Sequence, residues 1–203
     1  MKEIRAFNFD IRAEENEQHG HFLSGRPIVY GQRTSIGEYD EIIDQGALDN
    51  TDLKDVRFLV NHNVDMIPLA RSRNNNENST MQMVVDSEGM MIRVDLDTEN
   101  NADAKSLYSA VSRGDISGMS FMFIVDGYAW EDVGTEHPLR RVQSIGKVIE
   151  VSAVTFPAYS ATSIQARGLA DALDNAKASL DNERAKLAKI EKQKQKIRIL
   201  MEM

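Results

Sequence analysis

The sequence predicts a mixed α+β fold that is mainly β, a closed or nearly closed β-barrel flanked by helices and followed by a long C-terminal helix. Before Gly168, short segments rich in β-branched, aromatic and methionine residues alternate with turn-forming residues, which is typical of strands. One segment in this part, ADAKSLYSAVSRG (102–114), has helical spacing. Because strands outnumber helices and do not alternate with them, the pattern favours a barrel over βαβ units.

The individual elements follow from local residue types. DSEG (86–89) has hairpin-turn chemistry and should join its two flanking strands. In the predicted helix Leu107, Ala110 and Val111 share one face, and Gly114 supplies the C-terminal stop. The segment 39–48 is open to two interpretations, a short helix or an irregular arm. We expect strands at residues 3–9, 22–30, 56–61, 80–85, 90–96, 120–125 and 142–155.

The charge distribution divides the chain into a predicted domain at 1–167 and a charged amphipathic helix at 168–203. Residues 1–168 carry 16 basic against 26 acidic side chains, whereas 169–203 carry 8 against 6. Leucines recur every seven residues in the second part, which contains no glycine or proline. Glu183 and Lys194 interrupt this apolar stripe. A helix that packs on its own body or on a partner is therefore favoured over a long coiled coil.

Composition excludes several classes of protein. The chain has 203 residues, a net charge of -8 and a pI near 5.1, which argues against a nucleic-acid-binding surface over the whole protein. No cysteine occurs, so disulfides and cysteine-ligated zinc are excluded, as suits a reducing cytoplasm. The start, MKEIRAFNFD, lacks the apolar core of a secretion signal, and no run of eighteen apolar residues exists. We expect neither secretion nor a membrane partner.

Three side chains with the chemistry of an activated nucleophile stand in or beside apolar segments. Ser120 begins the apolar part of DISGMSFMF (115–123), His62 follows the strand VRFLV, and Glu150 lies inside KVIEVSAVTFPAY. A serine or a histidine in such a place, taken alone, is more often structural, whereas Glu150 is more informative. A carboxylate with apolar neighbours is costly to bury unless it is paired, and a histidine is a suitable partner. Serine, histidine and an acid together form an activated nucleophile.

Other residues remain open for the same chemistry. Ser117 is an alternative nucleophile, and His137, in a charged loop before a proline, is a rival third residue. Backbone N–H groups near the nucleophile are the default donors for an oxyanion, to which Arg140 or Arg141 could contribute.

A metal site is a weaker possibility. His19 and His21 stand near three glutamates, yet two histidines in an acidic, glycine-containing loop are more often solvated. The glycines of SGRPIVYG form no phosphate-binding motif. We therefore predict no metal and no cofactor.

Several motifs occur in a fixed order along the chain: GALDN (46–50), VRFLVNHN (56–63), GMMIRVDLD (89–97), a short helix, GDISGMSFMF (114–123) and KVIEVSAVTFPAYSAT (147–162). This order resembles that of the Hong-Kong-97-type prohead proteases of tailed phages, over roughly residues 1–167. Met119 and Met122 stand where relatives often carry other residues. The resemblance favours Ser120 over Ser117, because Ser120 matches the family serine beside the aromatic residue.

The resemblance implies a serine endopeptidase with Ser120 as nucleophile, His62 as base and Glu150 as the acid that orients it. Such proteases trim the scaffold portion of the major capsid protein inside an immature prohead in the host cytoplasm, and usually digest themselves. They are similar to herpesvirus assemblins, which have a β-barrel with surrounding helices and a second histidine as the third catalytic residue. The alternative function is a noncatalytic scaffold or assembly factor that keeps the fold.

Overall fold

The structure, a computed structural model, describes residues 2–7, 11–156 and 166–201. Within this part, two helices accompany eleven strands. In chain order the elements are β1 (Lys2–Phe7), β2 (Ile11–Asn16), β3 (Gly20–Val29), β4 (Thr34–Ser35), β5 (Asp40–Ile43), β6 (Asp55–Val60), β7 (Ala70–Arg73), β8 (Met81–Asp86), β9 (Gly89–Asp95), α1 (Ala102–Ser112), β10 (Gly118–Glu131), β11 (Leu139–Val154) and α2 (Ala166–Met201).

The described strands form two sheets. The larger sheet has the order β1-β10-β11-β5-β4, with β6 also paired to β11 and β7 paired to β6; the smaller has the order β2-β3-β9-β8. This arrangement confirms a mixed, mainly β fold with a C-terminal helix. Among the described strands no ladder closes the sheets into one continuous barrel, so the predicted barrel is not confirmed.

The strand β11 organises the larger sheet. It is 16 residues long and pairs antiparallel with β10 along one edge. Its other edge takes two shorter parallel strands, β5 near its beginning and β6 near its end. Because β6 runs parallel to β11, the turn after β6 lies beside the last residues of β11, and this places the candidate site.

Most predicted elements are present, and the differences are the strands β2, β4, β5 and β7, which were not predicted as strands. The hairpin at DSEG joins β8 to β9, and α1 starts after the N-cap Asn101. The segment 39–48 holds the strand β5 in place of the expected helix or arm, because pairing with β11 decides its structure. The strand β2 was not predicted, since it is rich in exposed charge and lies at a sheet edge. Residues 8 and 9 of the first predicted strand lie outside the described residues.

One hydrophobic core joins the two sheets and α1. The larger sheet contributes buried aromatic residues such as Phe58 and Phe121, and the smaller sheet contributes Leu23, Ile28 and Met90. The helix α1 adds the buried side chains of its predicted apolar face, with Ala110 at its border. The strands β10 and β11 therefore pack on this core.

Four buried charged side chains anchor β1 to the larger sheet. Arg5 Nε donates to Glu41 Oε1 at 2.5 Å, and Arg140 Nη1 donates to Glu3 Oε2 at 2.7 Å and to Glu41 Oε2 at 3.0 Å. Burial raises the pKa of Glu3, but the hydrogen bonds and charges of Arg140 and Arg5 outweigh it and hold that pKa below its usual value. Glu3 is therefore charged near neutral pH, and both arginines donate hydrogen bonds to it.

The middle of α2 packs on the body, and the part that follows is exposed. Ala176 and Leu180 are buried, and the Ser179 hydroxyl accepts from Trp130 Nε1 at 3.1 Å. Arg184 donates to two main-chain carbonyls, including that of Val133 at 3.0 Å. Of the two expected arrangements, packing on the chain's own body or on a partner, the structure has the first for these residues. From Ile190 onward the apolar side chains are largely exposed. In the part of the chain that the structure describes, neither helix has the length and apolarity of a membrane span.

The buried cluster predicts that substitution of two neighbouring arginines will lower the free energy of unfolding by very different amounts. Arg140→Met leaves two buried carboxylates with one cation and should lower the free energy of unfolding by about 3–5 kcal/mol. Arg141→Met removes a more exposed pairing with Asp44 and should change stability little. Urea unfolding followed by the fluorescence of the single tryptophan measures both. Equal losses in the two variants would contradict the role given to the cluster.

Acid should weaken the same anchor. Because the pKa of Glu3 is lower in the folded chain, its contribution to stability is complete above the unfolded value of about 4.3 and declines as the pH falls through the lowered pKa.

Candidate active site

Strand register brings the three candidate residues to one place. Ser120 on β10 lies opposite Ser152 on β11, and Ser152 also pairs with Leu59 of β6. Glu150 is two residues before Ser152, so the two side chains point to the same face of the sheet. The chain leaves β6 after Val60, and His62 follows in the turn. Residues far apart in sequence thereby share one face.

The imidazole of His62 bridges the other two candidate side chains. Its Nδ1 lies 2.6 Å from Glu150 Oε1, and its Nε2 lies 2.5 Å from Ser120 Oγ. Ser120 is 0% exposed, Glu150 1% and His62 8%. An ionised carboxylate can only accept, so the ring carries its proton on Nδ1; in the neutral ring Nε2 is then an acceptor facing the serine hydroxyl. This is the geometry of an activated nucleophile.

A strained turn presents the histidine. Asn61 and His62 have φ values of 51° and 56°, in the left-handed region that non-glycine residues rarely adopt. Asn61 fixes this turn to the end of β11: its N–H donates to Ala153 O at 2.9 Å, its Nδ2 donates to Thr155 Oγ1 at 3.1 Å, and its Oδ1 accepts from Thr155 N at 2.9 Å. The surrounding bonds therefore hold the ring in position against backbone strain.

Ser152 completes the environment of the carboxylate. Its Oγ donates to Glu150 Oε2 at 2.5 Å and accepts from the His62 N–H at 3.1 Å. Both carboxylate oxygens thus have donors, as a buried charge requires. The Ser152 hydroxyl therefore joins the Glu150 carboxylate to the main chain of His62.

The serine hydroxyl has a second neighbour. Ser120 Oγ lies 2.7 Å from the carbonyl oxygen of Arg5 on β1. A hydroxyl carries one proton, so Ser120 cannot donate to this carbonyl and to His62 Nε2 at the same time. Attack by Ser120 therefore requires its proton to point at His62, with the bond to Arg5 released.

The alternative catalytic residues lie elsewhere. Ser117 is exposed just before β10, and His137 Nε2 lies 2.6 Å from Asp40 Oδ1 in an exposed loop. Arg140 is held in the buried cluster, and Arg141 donates to Asp44 Oδ1 at 2.5 Å. The structure does not support a role for either guanidinium in binding an oxyanion, because both donate hydrogen bonds to carboxylates other than Glu150.

The histidines near the N-terminus have ordinary partners. His21 Nδ1 lies 2.6 Å from Thr98 Oγ1, and its ring contacts Tyr108 with centroids 4.4 Å apart. Within the described residues, no group of three or more histidine, cysteine, aspartate or glutamate side chains could hold a metal ion.

Sequence analysis missed the residues that hold the three candidates in place. Ser152, Asn61 and the Arg5 carbonyl each contact the site, yet none was singled out. The spacing in Glu-Val-Ser places two polar side chains on one face of a strand and could have indicated Ser152. Asparagine before a histidine at a strand end is a signal for a left-handed turn. The Arg5 carbonyl has no such signal, since it depends on strand pairing.

The turn generates a prediction about stability. Asn61→Ala loses the side-chain bonds to Thr155 and keeps a conformation that alanine disfavours, and should cost about 2 kcal/mol. Asn61→Gly loses the same bonds without the steric cost and should be less damaging by about 1 kcal/mol. Urea unfolding of both proteins measures the difference. If glycine were as destabilising as alanine, backbone strain at residue 61 would not matter.

The comparisons with known proteins place this chain in a family. No curated protein matches the chain. One matching solved structure, the bacteriophage T4 capsid assembly protease gp21, is 10% identical, and the match covers 75% of this chain and 98% of that chain with a TM-score of 0.37. At that TM-score the two structures differ too much for the likeness to indicate a function. The family model described as Caudovirus prohead serine protease matches residues 7–177, most of the sequence. The chain therefore belongs to the Caudovirus prohead serine protease family.

Proposed function

We propose that this chain is a serine endopeptidase that cleaves the scaffold portion of the major capsid protein, and itself, during phage prohead maturation. The observation that carries the proposal is the His62 ring, which lies within hydrogen-bond distance of Ser120 on one side and Glu150 on the other. Membership of the prohead serine protease family supports the same reaction and the same setting. The protease would act inside the immature prohead in the host cytoplasm.

The proposed reaction begins with transfer of the Ser120 proton. As Ser120 Oγ attacks the scissile carbonyl carbon, His62 Nε2 takes the hydroxyl proton and a tetrahedral intermediate forms. The imidazolium then gives this proton to the leaving amine, the C–N bond breaks, and an acyl-enzyme remains. Water then attacks the ester carbon while His62 Nε2 takes its proton; the bond from this carbon to Ser120 Oγ breaks, and His62 gives the proton to Ser120 Oγ.

Glu150 would orient the ring and stabilise its charge. Its Oε1 accepts from Nδ1–H and so selects the tautomer in which Nε2 can act as a base. The imidazolium formed during attack lies against a buried anion, where the attraction is stronger than in water. Backbone N–H groups near Ser120 are the proposed donors to the oxyanion.

The alternative is a noncatalytic scaffold or assembly factor that keeps the protease fold. The observation that favours it is the complete burial of Ser120 with its hydroxyl against the Arg5 carbonyl. A site that never opened to a peptide would leave the protein with a role in assembly alone. Cleavage that depends on Ser120 separates the two functions.

We assign the chemistry to a domain at 1–167 and partner docking to the helix at 168–203. The part of α2 from residue 184 to residue 201 carries seven basic side chains and a single acidic one. This surplus would steer the helix toward the acidic body of another copy or an acidic scaffold segment, with no nucleic acid or membrane partner.

The nucleophile and base can be tested by deletion of their functional atoms. Ser120→Ala and His62→Ala should each lower cleavage of a co-expressed major capsid protein by at least about 10³-fold while the fold is retained. Ser117→Ala should cleave normally. Mass spectrometry of the capsid protein detects the products, and circular dichroism verifies folding. Normal cutting by Ser120→Ala together with loss in Ser117→Ala would reverse the assignment.

Replacement of the acid by its amide should affect rate more than binding. Glu150→Gln should lower kcat by about 10³- to 10⁴-fold with little change in KM, because the amide can hold the wrong tautomer and cannot stabilise the imidazolium. His137→Ala should leave kcat unchanged. Steady-state cleavage of a peptide spanning the capsid cut site measures both. A near-normal rate in Glu150→Gln with a slow His137→Ala would transfer the role to His137.

Two truncations separate the parts of α2. A chain ending at Ala188 keeps the packed middle of α2 and should retain full stability and peptide cleavage, with less incorporation into assembled shells. A chain ending at Gly168 also loses Ala176 and Leu180 and should be less stable by about 2–5 kcal/mol, yet should still cleave peptide in dilute solution. Quantification of protease in purified proheads tests docking. Unchanged incorporation of the Ala188 truncation would remove that role.

A further inference from the structure

We propose that Ser152 is a positioning residue of the candidate triad, whose hydroxyl fixes the Glu150 carboxylate and the His62 turn relative to each other. The inference rests on the proposed protease function and adds a fourth side chain to its machinery. Ser152 touches no reacting atom in this assignment. It acts through the acid and the base.

Ser152 lies in the larger sheet, at the centre of the candidate site. It is completely buried on β11, directly opposite Ser120 on β10 and level with Leu59 on β6. Glu150 precedes it by two residues and so projects from the same face. β11 is the central strand at the site, and its residues 150–153 are paired with β10 on one side and with β6 on the other. Among these residues, Ser152 is the one paired directly with Ser120.

The direction of both Ser152 hydrogen bonds is fixed by chemistry. The His62 main-chain N–H can only donate, so Ser152 Oγ accepts there, at 3.1 Å. The hydroxyl proton is then free for Glu150 Oε2, at 2.5 Å, and an ionised carboxylate can only accept. No choice of tautomer or rotamer is needed to satisfy both bonds. The serine therefore links the backbone of the base to the side chain of the acid.

The hydrogen bond from Ser152 fixes the orientation of the Glu150 carboxylate. With Oε2 held by Ser152, Oε1 faces His62 Nδ1 at 2.6 Å, and rotation of the carboxylate would break two short bonds. The histidine is likewise held at its backbone and at its ring. Catalytic groups must stay within about 0.5 Å of their productive geometry. Loss of the hydroxyl would leave a buried carboxylate oxygen and a buried N–H without this partner, and both groups could shift.

A matched pair of variants isolates the hydroxyl. Threonine and valine have nearly equal volume and both suit a strand, but only threonine retains the donor and acceptor. The control is Ser72, which is also completely buried in a strand and whose hydroxyl has no hydrogen-bond partner in the described structure. Ser72→Ala removes a buried serine oxygen without removing a bond.

The experiment is steady-state cleavage of a peptide spanning the capsid cut site by the full chain. Ser152→Val and Ser152→Ala should lower kcat by about 10- to 100-fold with KM changed by less than about threefold. Ser152→Thr should restore most of the rate, and Ser72→Ala should match the unchanged protein. A normal kcat in folded Ser152→Val would overturn the proposal. So would equal losses in Ser152→Val and Ser152→Thr.

A spectroscopic measurement keeps the proposal testable without activity. In a Ser120→Ala background, which prevents self-digestion, the proton NMR resonance of His62 Nδ1–H should shift or broaden on Ser152→Val and stay unchanged on Ser72→Ala. An unchanged resonance in Ser152→Val would contradict the positioning role.

The two proposals fail differently. If the unchanged protein cleaves no capsid peptide, or if Ser120→Ala still cleaves it, the proposed protease function is wrong. The NMR measurement still tests whether Ser152 positions His62 in that case. If cleavage depends on Ser120 but Ser152→Val is as fast as Ser152→Thr, only the role of Ser152 falls.

Discussion

The register of β11 with strands on both its edges is the constraint on which the site depends. Antiparallel pairing sets Ser120 opposite Ser152, and parallel pairing sets Leu59 beside the same residue. A slip of one residue in either ladder would send side chains to the opposite face. Because β6 ends at its last paired residue, Val60 beside Ala153, the chain turns where its histidine can reach across β11. The geometry of the candidate site is thus a consequence of strand pairing.

The cost of burying a charge explains why the buried carboxylates of the site and of the β1 anchor all have hydrogen-bond or ion-pair partners. Glu150 has Ser152 and His62 on its two oxygens, and in the anchor Arg5 and Arg140 compensate Glu3 and Glu41. A buried ion without partners would cost several kcal/mol. Arg5 belongs to both regions, since its guanidinium holds the anchor and its carbonyl meets Ser120. The N-terminal strand therefore connects overall stability to the nucleophile.

Sequence patterns predicted the three candidate residues that the structure brings together, but not the residues that hold them. Apolar flanks made Ser120, His62 and Glu150 visible, and the order of motifs gave the family. Alternation and turn chemistry gave the hairpin of β8 and β9 and the helix α1. The strand β5 was missed because its structure is decided by pairing with β11, and β2 because its charged residues suit an exposed edge. The barrel could not be decided from composition, since sheet closure depends on long-range pairing. Only the register reveals that Ser152 and the Arg5 carbonyl reach the site.

Covalent labelling of the nucleophile tests the central claim most directly. The full chain, active on capsid peptide, is treated with a fluorophosphonate, which phosphonylates serines activated by a neighbouring base, and the adduct is located by peptide mass spectrometry. The account predicts one adduct, on Ser120, that is absent when His62 is replaced by alanine. An adduct on Ser117 or another serine, or none at all in protein that cleaves peptide, would contradict it.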